Sequence, residues 1–318
     1  MIARVLAWCS GLLALHLVFS LLALATVARD HRAVELDQVF LGSAEPLTIL
    51  VAGASHARNG VAAEQLGGLS VAVAGEHALK TRYRLPWLLH RSPRSVGAVV
   101  LELDAATFSS WKTDSFDPEV VWGRYVPFLH LGWQRGEPLD YAGKWGAAHL
   151  APYVGQGDAF AFWRAGLRAF QDEDDLDRFK GQPPAWMRKT GEEAAALHLE
   201  GQEVLDPAQV WALRGLIDDL KARQVRVVLV SFPVTQGYHD TAVAHGADLD
   251  TVRGAVSDLF EPGVVDYLDF EGLYFGRDDA FYDGDHLSGM GRAHFSRVLF
   301  DELVSMGIDV DPPSRLRR

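Results

Sequence analysis

The sequence is expected to fold as a three-layer α/β protein on a parallel five-stranded sheet, carried behind an N-terminal transmembrane helix. Apolar runs of strand length, rich in Val, Leu and Ile, recur along the chain. They are continuous, not alternating, as strands buried on both faces must be. Stretches of helical length separate them, and strand–helix alternation closes as a parallel sheet with right-handed crossovers and helices on both faces. The membrane segment is predicted by Val5 to Ala28, which holds no Asp, Glu, Lys or Arg and lies between Arg4 and the Arg29-Asp30-His31-Arg32 cluster. That is about the length a helix needs to cross a bilayer.

Residues 1–32 read as an uncleaved signal anchor, because the apolar stretch outlasts the core of an ordinary cleaved signal. Ala23, Ala25 and Ala28 near its end leave a cleaved signal as the alternative. Trp8 ahead of Cys9 argues against a lipoprotein. Cys9 is the single cysteine, so neither an intrachain disulfide nor a cysteine zinc site can form. With basic residues on both flanks, export is read from the position of the segment and not from charge asymmetry.

Residues 33–318 then form one α/β domain. Strands are expected at Thr48 to Ala52, Ser70 to Ala74, Ala98 to Leu103, Val225 to Ser231 and Val264 to Leu268. Helices are expected at Ala57 to Leu66, Glu76 to His90, Pro207 to Arg223, Ala242 to Phe260 and Ser288 to Met306. Glu76 and Lys80, one helical turn apart, read as a surface pair. The stretch from about 111 to 200 breaks the alternation. It holds Trp111, Trp122, Trp133, Trp145, Trp163 and Trp186, the acidic run Asp172 to Asp177 and Pro183-Pro184. It reads as an insertion between the third and fourth strands, folded over the strand ends. Its aromatic rings either pack a small core of their own or line a sugar groove. The acidic run lacks the glycine and distal glutamate of a calcium loop and reads as solvated.

Composition narrows the function. With 318 residues, 48% of them hydrophobic, the chain can bury a large core. A net charge of −12 argues against binding nucleic acid or an anionic membrane surface and suits neutral or glycan-type substrates. No phosphate-binding glycine loop and no metal cluster is found, and no soluble cofactor is implied.

Two short motifs carry the chemistry. Gly53-Ala54-Ser55-His56 follows the first strand, and Asp283-Gly-Asp-His286-Leu-Ser288 precedes the last helix. A serine hydroxyl becomes a useful nucleophile when an imidazole takes its proton and a carboxylate orients that imidazole. Asp283-x-x-His286 supplies both groups in one loop, and Asp285 is the rival acid. In an open parallel sheet, ligands bind at the carboxyl ends of the strands, which is where both motifs are expected. His56 either contacts substrate or serves as a structural hydrogen-bonder. Arg58 either neutralises an acidic glycan or is solvated.

These residues resemble the SGNH (GDSL-type) hydrolase superfamily. The resemblance lies in Gly53-x-Ser55, in Gly75 of Val73-Ala74-Gly75-Glu76 after the second strand, and in Asp283-x-x-His286-Leu-Ser. It covers roughly residues 45 to 110 and 205 to 305. Gly-x-Ser-His with Arg58, Asn59 and Gly60, the N-terminal anchor and the Leu101-Glu-Leu strand end are more similar to the envelope O-acetyltransferase branch, with its alginate O-acetylation and DltD-like proteins. The resemblance implies a flavodoxin-like SGNH fold with Ser55 as nucleophile, His286 as base and Asp283 as its acid. Gly75 and the Ser55 N–H would be the oxyanion donors. Ala54 stands where the superfamily usually has aspartate, and Leu103-Asp104-Ala105-Ala106 lacks the usual oxyanion asparagine. The chain has one asparagine, Asn59, which is either that missing donor or a helix-start hydrogen-bonder.

The function this implies is transfer of an acyl group, most simply acetyl, onto or off a hydroxyl of a cell-envelope polysaccharide. The enzyme would be an O-acyltransferase or an esterase. It would be anchored in the cytoplasmic membrane with its catalytic domain in the periplasm or extracytoplasmic space, and a multi-spanning membrane O-acyltransferase would be its partner. The alternative is a catalytically weak or inactive SGNH-fold scaffold that binds the glycan.

Overall fold

The computed structural model describes residues 4, 7–15, 18, 32–114, 122–149 and 183–310. The chain forms two compact units, one of residues 1–38 and 116–173, the other of residues 39–115 and 174–318.

The second unit carries the sheet. Its strands are β1 (Leu47–Ala52), β2 (Leu69–Ser70), β3 (Val96–Glu102), β4 (Arg226–Ser231) and β5 (Val265–Asp269), all parallel in the order β2-β1-β3-β4-β5. The helices of the chain are α1 (Arg32–Leu41), α2 (Ser55–Gly60), α3 (Ala78–Arg91), α4 (Ser110–Asp114), α5 (Phe128–Arg135), α6 (Pro138–His149), α7 (Pro184–Leu199), α8 (Pro207–Ala222), α9 (Gln236–Ala244), α10 (Leu249–Gly254) and α11 (Gly289–Ser305). On one face of the sheet, Ile49, Val51, Val100 and Val228 pack with Phe295, Leu299 and Leu303 of α11. The alternate residues Leu50, Val99, Val227 and Leu229 are equally buried, which is why the strands read as unbroken apolar runs. Helices α3 and α8 pack on each other. Asp206 caps α8 by accepting from the Ala208 N–H at 2.8 Å, with Pro207 pre-set for the first turn.

The β2 segment pairs beyond its named residues: Val71 N–H donates to Val51 O and Val73 N–H to Gly53 O. Because β1 lies between β2 and β3, connections leave it toward both sides, and the loops after β1 and β3 flank the switch point where such sheets bind ligands.

Two expected helices are shorter than the pattern suggested. The Ala57 to Leu66 helix stops at Gly60, since the Ala62 N–H is captured by Ser296 Oγ at 2.8 Å; a 3-10 turn follows at Ala63–Leu66. The Ala242 to Phe260 helix is divided between α9, α10 and a 3-10 turn at Ser257–Leu259. Gly246 there has φ of 76°, and Asp248 caps a fresh helix by accepting from the Thr251 N–H at 2.9 Å.

In the first unit, α5 and α6 pack together, Trp122 is buried and Trp133 is 79% exposed. The tryptophans of the 111–200 stretch therefore do not act as one group: Trp186 packs on the core under the sheet and the Trp111 ring lies 4.6 Å from His198. Trp163 and the Asp172 to Asp177 run lie outside the described residues. So does most of the expected membrane span; residues 7–15 are helical, and among the described residues no helix is long and apolar enough to cross a membrane.

Candidate active site

Ser55 is delivered by a turn at the carboxyl end of β1. Gly53 has φ of 136°, and a Cβ there would lie 3.0 Å from the Cβ of Glu102, so both conformation and space require glycine. Glu102, the last residue of β3, accepts through Oε2 from the N–H groups of Ala54 and Ala57, each at 3.1 Å. One buried carboxylate thus staples both sides of the serine. Ser55 opens α2 half-buried, and its hydroxyl bonds no described residue. Further along α2, Arg58 and Asn59 are half-buried, and the Asn59 amide bonds no described residue.

The second motif is a folded loop ahead of α11. Asp283 Oδ1 accepts from the N–H groups of Asp285 (3.1 Å) and His286 (2.9 Å), which curls the loop. The same carboxylate meets His286 Nδ1 at 3.0 and 3.1 Å through its two oxygens. Asp285 Oδ1 also reaches His286 Nδ1, at 3.2 Å. Asp283 and its rival Asp285 are therefore not alternatives: the tight loop turns both carboxylates toward one nitrogen. Thr235, which caps α9, donates its hydroxyl to Gly284 O at 2.5 Å. A Cβ on Gly284 would fall 2.0 Å from the Gly191 nitrogen of α7. His286 Nε2 is buried and has no hydrogen-bond partner.

His56 joins the two motifs. Its Nδ1 donates to Asp104 Oδ2 at 2.5 Å, its Nε2 lies 3.2 Å from Asp285 Oδ2, and its ring centroid is 5.2 Å from that of His286. Asp104, in the loop after β3, is held by the Ala106 N–H and the Thr107 hydroxyl. The side chains form a row, Asp104–His56–Asp285–His286, with Asp283 on the last ring. Ser55 is the chain neighbour of His56, so it is carried to the same rim as His286; the Ser55 hydroxyl and His286 Nε2 are not hydrogen-bonded to each other in this structure. Catalytic hydrogen bonds are often long until substrate binds.

Burial works against every charge in this row, and the neighbours decide the outcome. Burial alone would lower the His56 pKa, but the charge and hydrogen bonds of Asp104 and Asp285 raise it well above the ordinary histidine value. Asp104 and Asp285 are held below the usual carboxylate range against their own burial, Asp104 chiefly by His56 and Asp285 chiefly by His286. Glu102 is pushed up by burial and by Asp104, with Lys112 opposing at 3.8 Å. His286 is raised because Asp285 and Asp283 outweigh its burial. His198 is pushed down to about 4 by burial, and the buried Tyr238 phenol, which meets His198 Nδ1 at 3.1 Å, is pushed up.

Gly75 is exposed in the turn after the β2 segment, with φ of 71°. Val73, two residues before it, is bonded to Gly53, which sets this turn beside Ser55. Glu76 and Lys80 are not a surface pair: both are buried, Glu76 against Arg84 at 2.5 Å and Lys80 with its ammonium 3.3 Å from Gly75 O. A cavity of about 30 Å³ behind the Ser55 turn, lined by Glu102, Lys112 and Thr107, is of the size that holds water and not substrate.

Glu102, Asp104, Lys112, Tyr238 and His198 were not singled out from sequence as site residues. The available signal was Glu102-Leu-Asp104 at the carboxyl end of an otherwise apolar run. His56, Glu102, Asp104, Asp285 and His286 bring potential metal-ligand atoms close together, but both His56 nitrogens and the nearest carboxylate oxygens already bond one another, and no metal site is assigned to them.

No protein-family model matches the chain, and no curated protein matches it. Among solved structures 12 chains match. One is a candidate platelet activating factor from Streptococcus pneumonia, at 11% identity over 95% of this chain and 99% of that one, with a TM-score of 0.44.

Proposed function

We propose that this protein is a serine-dependent acyl-transfer enzyme of SGNH type, with Ser55 as nucleophile, His286 as base and Asp283, aided by Asp285, as its orienting acid. The single observation that supports this reading is the state of His286: carboxylates occupy Nδ1 while Nε2 is buried and has no partner, and the ring lies 5.2 Å from that of His56, the chain neighbour of Ser55. An imidazole so held presents a lone pair to an incoming proton. His286 would take the Ser55 proton as the hydroxyl attacks an acyl carbonyl, and return it to the departing oxygen. The acyl-serine would then pass to a sugar hydroxyl or to water.

The N–H groups of Ser55 and Gly75 are the proposed oxyanion donors, with Asn59 the only asparagine amide that could join them. The resemblance of the two motifs to envelope O-acetyltransferases favours an acetylated cell-envelope polysaccharide as substrate. In this reading the N-terminal apolar segment anchors the protein at the cytoplasmic membrane, its catalytic domain outside, beside a multi-spanning O-acyltransferase.

A second reading, a glycan-binding scaffold, draws on Asp104: an anion stands after β3 where an oxyanion-binding amide was expected. Ester cleavage separates the two. Acetate release from p-nitrophenyl acetate is expected to fall by about 10⁴-fold or more in Ser55→Ala. Covalent capture of Ser55 by a fluorophosphonate should be lost in His286→Ala. Equal turnover by the wild type and Ser55→Ala leaves the scaffold. If added sugar acceptors never capture the acetyl group, the enzyme is an esterase.

A further inference from the structure

We propose that His56 is a positioning residue of this site, a buried cation that fixes Asp285 against His286 and offsets the negative charge Asp285 brings to that ring. Its catalytic consequence rests on the acyl-transfer reading above; its geometry does not.

Both His56 nitrogens face carboxylate oxygens, Asp104 Oδ2 at 2.5 Å and Asp285 Oδ2 at 3.2 Å. A neutral imidazole has one N–H and would turn a lone pair toward the other anion; only the imidazolium donates to both. Asp104 is not free to swing away, because its Oδ1 accepts from the Ala106 N–H (3.1 Å) and the Thr107 hydroxyl (3.0 Å). Asp285 is bracketed, with Oδ2 toward His56 and Oδ1 toward His286 Nδ1.

The charge balance shows why a cation is useful there. A triad imidazole ordinarily faces one carboxylate, whereas His286 faces two, Asp283 and Asp285. Two anions at one ring favour its protonated form, which cannot accept a proton from serine. His56, with its ring 5.2 Å away, is a cation placed to oppose them. The other groups about His56 are Glu102 beneath the turn and Tyr238 of α9, whose ring centroid is 6.1 Å away. Lys112 of α4 sits on Glu102, and His198 of α7 faces Asp285. Tyr282 borders His286 at 6.4 Å.

The test follows His286 directly. Full-length protein labelled at its histidine rings is titrated by NMR, with the His286 signal assigned by its loss in His286→Ala. In His56→Gln the His286 midpoint is expected to rise by about one pH unit, the effect of removing a nearby charge. The acid limb of p-nitrophenyl acetate cleavage should rise with it, giving about a tenfold loss on that limb that disappears at alkaline pH. The double variant His56→Gln, Asp104→Asn, which removes the cation together with its buried partner, should move the midpoint the same way because His56 is the nearer of the two to His286, and it carries the measurement if His56→Gln alone does not fold. An unchanged or lowered His286 midpoint in a folded variant overturns the inference, since a merely structural His56 would change stability alone. Should the midpoint rise while Ser55 stays inert to fluorophosphonate at every pH, the acyl-transfer reading falls and the electrostatic role of His56 stands.

Discussion

Two clusters of buried charge lie in the sheet-bearing unit, and they differ in how they end. Under the Gly75 turn, Arg84 donates to Val71 O at 2.8 Å and to Glu76 Oε2 at 2.5 Å, and both side chains are almost wholly buried. At the rim of the sheet, Asp104, His56 and Asp285 are also buried, but the row reaches His286, whose side chain is 18% exposed, and finishes on a nitrogen with nothing bonded to it. Burying charge is costly, and a cluster that serves only the fold recovers that cost by satisfying every member. A cluster that leaves one group unsatisfied in a crevice is a candidate for chemistry. Burial and pairing alone do not distinguish the two clusters, and the contrast singles out the unpaired His286 nitrogen as the group to test.

The sharpest way to break this contrast is to remove the open end. His286→Ala should lower acyl-ester turnover by about 10⁴-fold, with a much smaller shift of the urea unfolding midpoint that reflects the loss of the Nδ1 contacts to Asp283 and Asp285. Should unfolding shift as much as turnover does, the ring is part of the scaffold. Glu76→Gln attacks the closed cluster and should destabilise the fold by about 3–5 kcal/mol, as expected when a buried guanidinium loses its anion. Chemical denaturation is the measurement, and a change below about 1 kcal/mol would mean that Arg84 finds compensation elsewhere.

Intermediate effects sharpen the comparison within the open cluster. Asp283→Asn should cost about 10²-fold in turnover, less than in a triad with one acid, because Asp285 still orients the ring. Asp285→Asn should lower both turnover and stability, since it also strips a partner from His56; equal unfolding curves for the two variants would contradict that dual role.

The pH dependence has a definite sign. His286 must be neutral to act as a base and its pKa is raised, so turnover should climb with pH along a limb centred above the ordinary histidine value of 6.5. Stability runs on different limits. Asp104 and Asp285 have depressed pKa values, so their contribution is present above the ordinary 3.8 and lost as pH falls through their folded values. His56 has a raised value, so its contribution is full below 6.5 and lost as pH rises through its folded value. The rim cluster should therefore stabilise the fold most between about pH 4 and 6.5, below the pH at which turnover is greatest. Denaturation curves across pH check this. The smallest effect is expected from Asn59→Ala, where the rate should fall well short of the about hundredfold loss that removal of an oxyanion donor brings.

The sheet was legible because burial on both faces forces unbroken apolar runs, and α8 because Asp206-Pro207 writes its own start. The Asp283–His286 contact was legible as well, since both groups sit in one turn of chain. His56–Asp104 was not. Its partners are 48 residues apart and meet only because β1 and β3 are neighbours in the sheet. A neighbour relation of that kind leaves no local spacing to read. Helix length failed for a related reason: the Ala62 N–H is taken by Ser296, a hydroxyl 234 positions away, and no propensity anticipates so distant a competitor.

The contact between Gly191 of α7 and Gly284 has a consequence of its own. With backbone pressed on backbone, no methyl group fits at Gly284 without displacing the peptide of α7, so the stretch holding Asp283, Asp285 and His286 is seated on a helix and not on a flexible side chain. Proton hand-over tolerates misplacement of only a fraction of an ångström. Alanine at either glycine, far milder than deleting a charged side chain, would test how finely that seat must be cut.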